Sequence, residues 1–365
     1  MKFLSFLIKP ASSLCNLKCK YCFYNDISNQ RKTPSFGVMN DETMKNLITK
    51  ALSYHEETMV TFAFQGGEPT MAGLTFFETF TKMVDQCKKD YHHVTYSIQT
   101  NGILLDEKWV SLFKKYHFLV GISLDGYREN HDFYRLDLKE NPTFKKVLDN
   151  IRLLEKNQIE YNVLTVLTAS LAKHPQKLYK FYKQQKLNYV QLIPCLPKLN
   201  QTVQEDEYAL TPQLFASFYK SFYKLWEADL KLGNVMSVSL FDNIIPMYQS
   251  IPPQVCGMLG FCSPQYVVES DGSIYPCDFY VLDEYCIGNI NENTLGELAK
   301  NKLLDQFLKE EKRESPLCQK CAFVEICHGN CKRMNISYFD DHYCGYQDFL
   351  KETYPSMIKI ARQLG

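Results

Sequence analysis

Over roughly the first 200 residues, six short apolar runs alternate with longer amphipathic stretches, and this alternation leaves few architectures open. The runs cover residues 3–8, 59–65, 95–99, 118–123, 161–167 and 189–193. Between them, stretches such as 41–56 and 144–157 carry apolar residues at helical spacing. The pattern predicts an α/β fold: a parallel sheet with helices outside it, closed into a partial barrel. Ligands in such folds gather at the C-terminal ends of the strands.

Composition narrows the class. The chain has 365 residues, 45% hydrophobic and 22% charged, which suits one large and one smaller globular domain. Lys+Arg and Asp+Glu both number 41, so charge gives no reason to expect nucleic acid or an anionic membrane as partner. The 24 Tyr and 24 Phe are scattered and read as core and pocket walls. The apolar run 3–8 is too short for a signal peptide, and Lys9-Pro10 leads directly into a cysteine loop with no cleavage region. No apolar stretch approaches the ~20 residues that span a bilayer. A cytoplasmic protein is expected.

Fourteen cysteines are many for such a chain, and in a reducing compartment they read as ligands rather than disulfides. Three lie near the N-terminus, nine between Cys256 and Cys344, and only Cys87 and Cys195 in between. Cys15, Cys19 and Cys22 are spaced C-x3-C-x2-C just after the first predicted strand. Three thiolates can hold a four-iron cube and leave one iron open for chemistry. A zinc knuckle is the alternative, but it wants a fourth Cys or His close by, and the nearest histidine is His55.

The second strand runs into Gln65-Gly66-Gly67-Glu68-Pro69, whose glycines let a ligand approach backbone amides and carbonyls that are free to bind it. Ser97-Ile98-Gln99-Thr100-Asn101-Gly102 and Gly121-Ile122-Ser123-Leu124-Asp125-Gly126 end the next two strands, and Asn-Gly and Asp-Gly are also ordinary turn formers. Further along, Thr211-Pro212 is a helix start, with the helix predicted to reach about Leu232 and stop at Gly233. Its apolar face is Phe215, Phe218, Phe222, Leu225 and Trp226, and it is expected to bridge two domains. Beyond about residue 245 the chain is irregular and cysteine-dense, and is expected to depend on metals for folding.

Taken together, the cysteine triplet and the Gly66-Gly67-Glu68-Pro69 element resemble the radical SAM superfamily. The resemblance implies a (β/α)6 TIM-like barrel over residues 1–235, in which Cys15, Cys19 and Cys22 hold a [4Fe–4S] cluster. The open iron would chelate S-adenosylmethionine, whose reductive cleavage gives a 5′-deoxyadenosyl radical. By position, Tyr21 would lie near the adenine, and Gln65, Gly66, Gly67 and Glu68 would form the element that holds the methionyl amino group. Ser123 would bind the ribose or methionyl end, Arg135 the carboxylate, and Leu196 would pack on adenine.

The distal cysteines follow Cys318-x2-Cys321-x5-Cys327-x3-Cys331-x12-Cys344, preceded by Cys262-x9-Gly272-x4-Cys277 and by Cys256. Paired spacing of this kind could also build zinc ribbons. The arrangement resembles the SPASM extension of radical SAM enzymes that modify peptides and proteins, here over residues 236–365. That likeness implies two auxiliary [4Fe–4S] clusters, one on Cys256, Cys262, Cys277 and Cys331, the other on Cys318, Cys321, Cys327 and Cys344. Fully ligated cubes would carry electrons. Cys87, Cys195 and Cys286 remain as structural thiols, although spacing does not exclude Cys286 as a ligand.

A narrower resemblance, covering nearly the whole chain, is to anaerobic sulfatase-maturating enzymes. It is carried by Leu7-Ile8-Lys9-Pro10-Ala11-Ser12-Ser13, Cys19-Lys20-Tyr21-Cys22-Phe23-Tyr24 and Phe62-Ala63-Phe64-Gln65-Gly66-Gly67-Glu68-Pro69. The fourth segment is Val267-Val268-Glu269-Ser270-Asp271-Gly272-Ser273-Ile274-Tyr275-Pro276-Cys277-Asp278-Phe279-Tyr280. The loop 136–143 lacks the glycines that many relatives have there. The family likeness implies that Asp278 accepts a proton at the substrate carbon, with Tyr24 as a second polar group nearby. The expected reaction oxidises a Cys or Ser of a sulfatase precursor, in a Cys/Ser-x-Pro-x-Arg motif, to Cα-formylglycine. An alternative is a maturase that cross-links or epimerises a ribosomally made peptide. A flavodoxin or ferredoxin would supply electrons, and a monomer is expected. Anaerobically purified protein should carry about twelve irons per chain, as three cubes require. Iron, zinc and sulfide analysis checks this; roughly two or three zinc ions with little iron would refute it.

Overall fold

All six apolar runs form strands: β1 (Lys2–Ile8), β2 (Thr58–Phe64), β3 (His92–Thr100), β4 (Leu119–Ser123), β5 (Tyr161–Leu167) and β6 (Tyr189–Pro194). The computed structural model describes residues 1–364. Alternation explains β2, where Val60, Phe62 and Phe64 are buried and the intervening side chains are half-buried. Parallel neighbours need long crossovers, and helices such as Asp41–Ala51, Leu74–Cys87 and Glu107–Tyr116 supply them. The first of these starts where the Asn40 side chain accepts the Thr43 N–H at 2.8 Å, and ends short of the predicted residue 56 once the apolar period lapses after Ala51.

Two compact units arise, each assembled from three separate stretches of chain. The first comprises Met1–Ser123, Asp132–Tyr161 and Ser263–Lys309. The second comprises Leu124–His131, Asn162–Cys262 and the chain from Glu310 onward. In the first, β1 pairs with β2, β2 with β3 and β3 with β4, all parallel. Phenylalanines of β2 pack edge-on against the helix Leu74–Cys87, with Phe64–Phe77 ring centroids at 4.9 Å and Phe62–Phe80 at 5.1 Å.

Four short strands carried no readable period: β7 (Ser237–Val238), β8 (Val267–Val268), β9 (Ser273–Tyr275) and β10 (Gly288–Asn289). Two or three residues cannot show an alternation. β8 adds in parallel to the other edge of β1, pairing Leu7 with Val267 and Ile8 with Val268. β9 and β10 follow antiparallel. This edge addition draws Ser263–Lys309 into the same unit as the N-terminal strands. The glycine-free loop 136–143 turns instead on Asp137, whose carboxylate accepts the Lys139 and Asn141 N–H groups, and on Glu140 at φ +63°.

In the second unit β5, β6 and β7 are parallel. The helix Pro212–Lys231 starts and stops as predicted: Thr211 accepts the Leu214 N–H at 3.3 Å, and Gly233 takes φ +81°. It lies wholly in this unit, which also holds the chain from Glu310 onward. Its aromatic face meets the helix Gly345–Leu364, with Phe215 stacked on Tyr346 at 5.6 Å and Tyr219 against Phe349 at 5.7 Å. No helix among the described residues is long and apolar enough to cross a membrane. Thr211→Ala should lower stability by about 1 kcal/mol, because the Leu214 N–H loses its side-chain acceptor; urea denaturation of the cluster-loaded protein checks this.

Candidate active site

The cysteine loop follows β1. Cys19 sits in a short ribbon, Leu17–Cys19 against Arg135–Asp137, where it pairs with Arg135. Cys22 caps the helix Phe23–Asn29, its sulfur accepting the Asn25 N–H at 3.4 Å. The Cys15 sulfur accepts from the Leu17 N–H at 3.4 Å and from Asn101 Nδ2 at 3.8 Å. Donors of this kind stabilise thiolates and tune clusters. Burial nevertheless pushes the Cys15 thiol up to about 11, so a cation in the proton's place suits it. Among the described residues no three His, Cys, Asp or Glu side chains converge as ligands of a single ion would. Ligands on the corners of a cube stand farther apart than ligands of one ion.

The glycine pair locks onto this loop. Gly66 has φ +133°, and a β-carbon on Gly67 would lie 2.3 Å from the Leu14 carbonyl oxygen. One of the two glycine amides expected to be free is engaged: Gly67 N–H donates to Ser12 O at 2.9 Å, and the next amide, Glu68 N–H, donates to Leu14 O at 2.7 Å. Close approach of two backbones, rather than open amides, is what demands glycine here. The Glu68 carboxylate is also turned inward. It is buried and accepts from the Thr70 N–H and hydroxyl, the Thr100 hydroxyl and the Asn101 N–H, all within 3.0 Å. Burial raises its pKa despite these donors. Asn101, offered by the sequence only within a turn, thus ties the ends of β2 and β3 to Cys15.

Ser123 ends β4, half-buried. Arg135 is buried with its guanidinium carbon 5.6 Å from the Tyr21 ring, which in turn lies 5.4 Å from Tyr134. Tyr21 and Arg135 are therefore brought together. Leu196 follows β6 in the second unit, half-buried.

Asp278 sits at the centre of a polar network that sequence reading largely missed. Lys9 Nζ is 2.6 Å from its Oδ1, and Gln65 Nε2 donates to its Oδ2 at 2.8 Å. Lys9 is fully buried, with its ammonium 3.7 Å from the centroid of the Tyr24 ring. The Tyr24 hydroxyl, expected near the substrate, is instead buried and donates to Glu269. Arg31 donates to the same Glu269 oxygen at 2.6 Å, and this second ion pair is fully buried. Burial, followed by the Glu269 charge, holds the Tyr24 phenol well above its ordinary range, so it stays protonated. The sequence signals for Lys9 were its place at a strand end and within the family-like segment Leu7–Ser13.

In the second unit Cys318, Cys321, Cys327 and Cys344 line one cavity, walled by Phe323, Phe339 and Tyr346. Cys321 accepts the Phe323 N–H at 3.4 Å and Cys344 the Gln347 N–H at 3.3 Å. Burial pushes the Cys327 thiol up to about 11. The donor set and its apolar walls fit an iron–sulfur cube. Cys256, Cys262 and Cys331 also belong to this unit, where Gly257 leaves room for the Cys331 side chain; a β-carbon there would lie 3.1 Å from that of Cys331. Cys277 belongs to the first unit, directly before Asp278. Cys286 donates to the Gly288 carbonyl at 3.5 Å, and Cys195 is buried.

A radical SAM superfamily model matches residues 10–181, and a SPASM iron–sulfur cluster-binding domain matches residues 260–322. Fold, cysteine loop and distal cysteines thus define a radical SAM enzyme, a class that works with S-adenosylmethionine and a [4Fe–4S] cluster, with a SPASM domain for further clusters. The chain is 40% identical, over all of its length and 99% of the relative's, to a cysteine-type anaerobic sulfatase-maturating enzyme of Clostridium novyi. A serine-type enzyme of Bacteroides thetaiotaomicron is 29% identical over 98% of this chain and 91% of its own. The solved structure of native anSMEcpe with bound AdoMet and Cp18Cys peptide superposes over the whole of both chains with a TM-score of 0.92 and 37% identity. The chain belongs to the anaerobic sulfatase-maturating enzymes. Gly67→Ala should drive the cysteine loop off the strand end and lower bound iron by about four per chain, leaving the distal clusters; iron analysis against wild type checks this.

Proposed function

We propose that the chain oxidises a cysteine of a sulfatase precursor, within a Cys-x-Pro-x-Arg motif, to Cα-formylglycine. The observation that carries this reading is Asp278, a carboxylate held at the ends of β1 and β2 and directly following Cys277. Cys15, Cys19 and Cys22 would hold the catalytic cluster, with Tyr21, the 65–68 element, Ser123, Arg135 and Leu196 lining the S-adenosylmethionine site. Two auxiliary clusters would use Cys256, Cys262, Cys277 and Cys331, and Cys318, Cys321, Cys327 and Cys344. Bound there, these groups supply a radical that removes a Cβ hydrogen and a sink for one further electron. What remains for the protein is one proton. Asp278 accepts it from the substrate thiol as the carbon–sulfur double bond forms, and hydrolysis of that thioaldehyde releases sulfide and leaves the aldehyde.

Tyr24 takes no proton in this scheme, since its buried hydroxyl already donates to Glu269. Cysteine is favoured over serine because the cysteine-type relative is more similar, at 40% against 29% identity. The enzyme would work as a cytoplasmic monomer fed by a flavodoxin or ferredoxin. Anaerobic incubation with S-adenosylmethionine, reductant and a Cys-x-Pro-x-Arg peptide should yield an aldehyde that hydrazine reagents trap. Loss of hydrogen mass without an aldehyde would point to cross-linking instead. Asp278→Asn should keep its iron and lower turnover roughly 10²-fold or more; wild-type turnover would refute the role.

A further inference from the structure

Asp278 is clamped from two sides, and the clamp has a construction that stability alone does not explain. Burying an ion pair returns little net stability, because desolvation offsets the Coulomb gain. Yet Lys9 is fully buried opposite Asp278, whose side chain keeps 13% exposure. The ammonium has no room to move, since the carboxylate holds it on one side and the Tyr24 ring on another. Tyr24 is itself fixed at its hydroxyl by Glu269, and Arg31 fixes Glu269. One ion pair thus braces the ring against which the other is set.

Strand register delivers both arms of the clamp. Ile8 pairs with Phe64 in parallel, so the next residues, Lys9 and Gln65, emerge side by side at the C-terminal edge. The Lys9 N–H donates to Val268 O at 2.8 Å, anchoring it to the strand from which the Asp278 loop descends. The Asp278 N–H donates in turn to Gln265 Oε1 at 3.4 Å. The carboxylate is held at Oδ1, at Oδ2 and at its own backbone, with its exposed side facing outward.

We propose that Lys9 is a positioning residue for the oxidation, with Gln65 as the second arm. Together they orient the Asp278 carboxylate toward the substrate side chain. This rests on the reading of Asp278 as proton acceptor. Gln65 then serves the base through its side-chain amide. Loss of the clamp leaves radical formation intact but lets the substrate radical wait for its proton acceptor.

The test uses the cluster-loaded full chain with the Cys-x-Pro-x-Arg peptide, measuring kcat, KM, iron content and 5′-deoxyadenosine formed per aldehyde. Lys9→Met should keep its iron and KM, lose on the order of 10²-fold in kcat, as a small misplacement of a reacting group does, and form excess 5′-deoxyadenosine. Lys9→Arg should recover part of that loss. In the Asp278→Asn background Lys9→Met should add nothing, because both changes remove the same function. Independent, multiplying losses, or Lys9→Met at wild-type kcat and coupling, would overturn the inference while leaving the base intact. Wild-type turnover by Asp278→Asn alone would remove the base reading itself. Should Lys9→Met lose iron, Gln65→Met removes the other arm without stranding a charge. Its kcat loss must vanish in the Asp278→Asn background, and persistence there would overturn the clamp.

Discussion

The C-terminal end of β1 is the point from which the first unit's chemistry hangs. One residue past it, Lys9 meets Asp278; four past it, Ser12 receives the Gly67 amide; six past it, Leu14 receives the Glu68 amide. Parallel pairing on both edges of β1, with β2 and with β8, makes these meetings obligatory. A one-residue slip in either register would turn every side chain to the opposite face. It would separate Lys9 from both Gln65 and Asp278. The cysteine loop, the glycine pair and the carboxylate are thus consequences of one strand being flanked correctly.

Charge is arranged around that point in two layers. Lys9 with Asp278 and Arg31 with Glu269 form a neutral set, divided by the Tyr24 ring. The inner pair, Arg31 and Glu269, has no exposed side-chain surface, while Asp278 retains some. Buried charges of this kind need every partner in place. That requirement gives rigidity to the carboxylate proposed as the base and leaves its remaining exposed surface on the open side.

How much of this could be read in advance differs from residue to residue. The six strands were legible because alternating burial writes itself into alternating side chains, as at Val60, Phe62 and Phe64. The caps of the helix Pro212–Lys231 were legible because Thr211, Pro212 and Gly233 act on their own neighbours. Cys318, Cys321, Cys327 and Cys344 were grouped by family likeness, and they line one cavity. By contrast, β8 to β10 were too short to show a period. Glu68 looked like a ligand group and is a buried acceptor for four donors of Thr70, Thr100 and Asn101, while Tyr24 looked toward the substrate and donates to Glu269. Nothing in a linear segment tells which way a polar side chain turns when its partner lies at the end of another strand, as Thr100 does, or 245 residues away, as Glu269 does.

The sequence by itself determined the chemistry available: a cysteine triplet for a cluster with an open iron, a glycine pair after a strand, and an aspartate after a distal cysteine. Local rules sufficed, because spacing, capping and periodicity act within a few residues. Only the tertiary structure decided that Lys9 and Asp278, 269 positions apart, form one ion pair, and that Ser263–Lys309 belongs with the N-terminal strands. Both follow from the edge of β1 accepting two valines through backbone hydrogen bonds. Such bonds carry no side-chain signature, so no pattern in the sequence announces them.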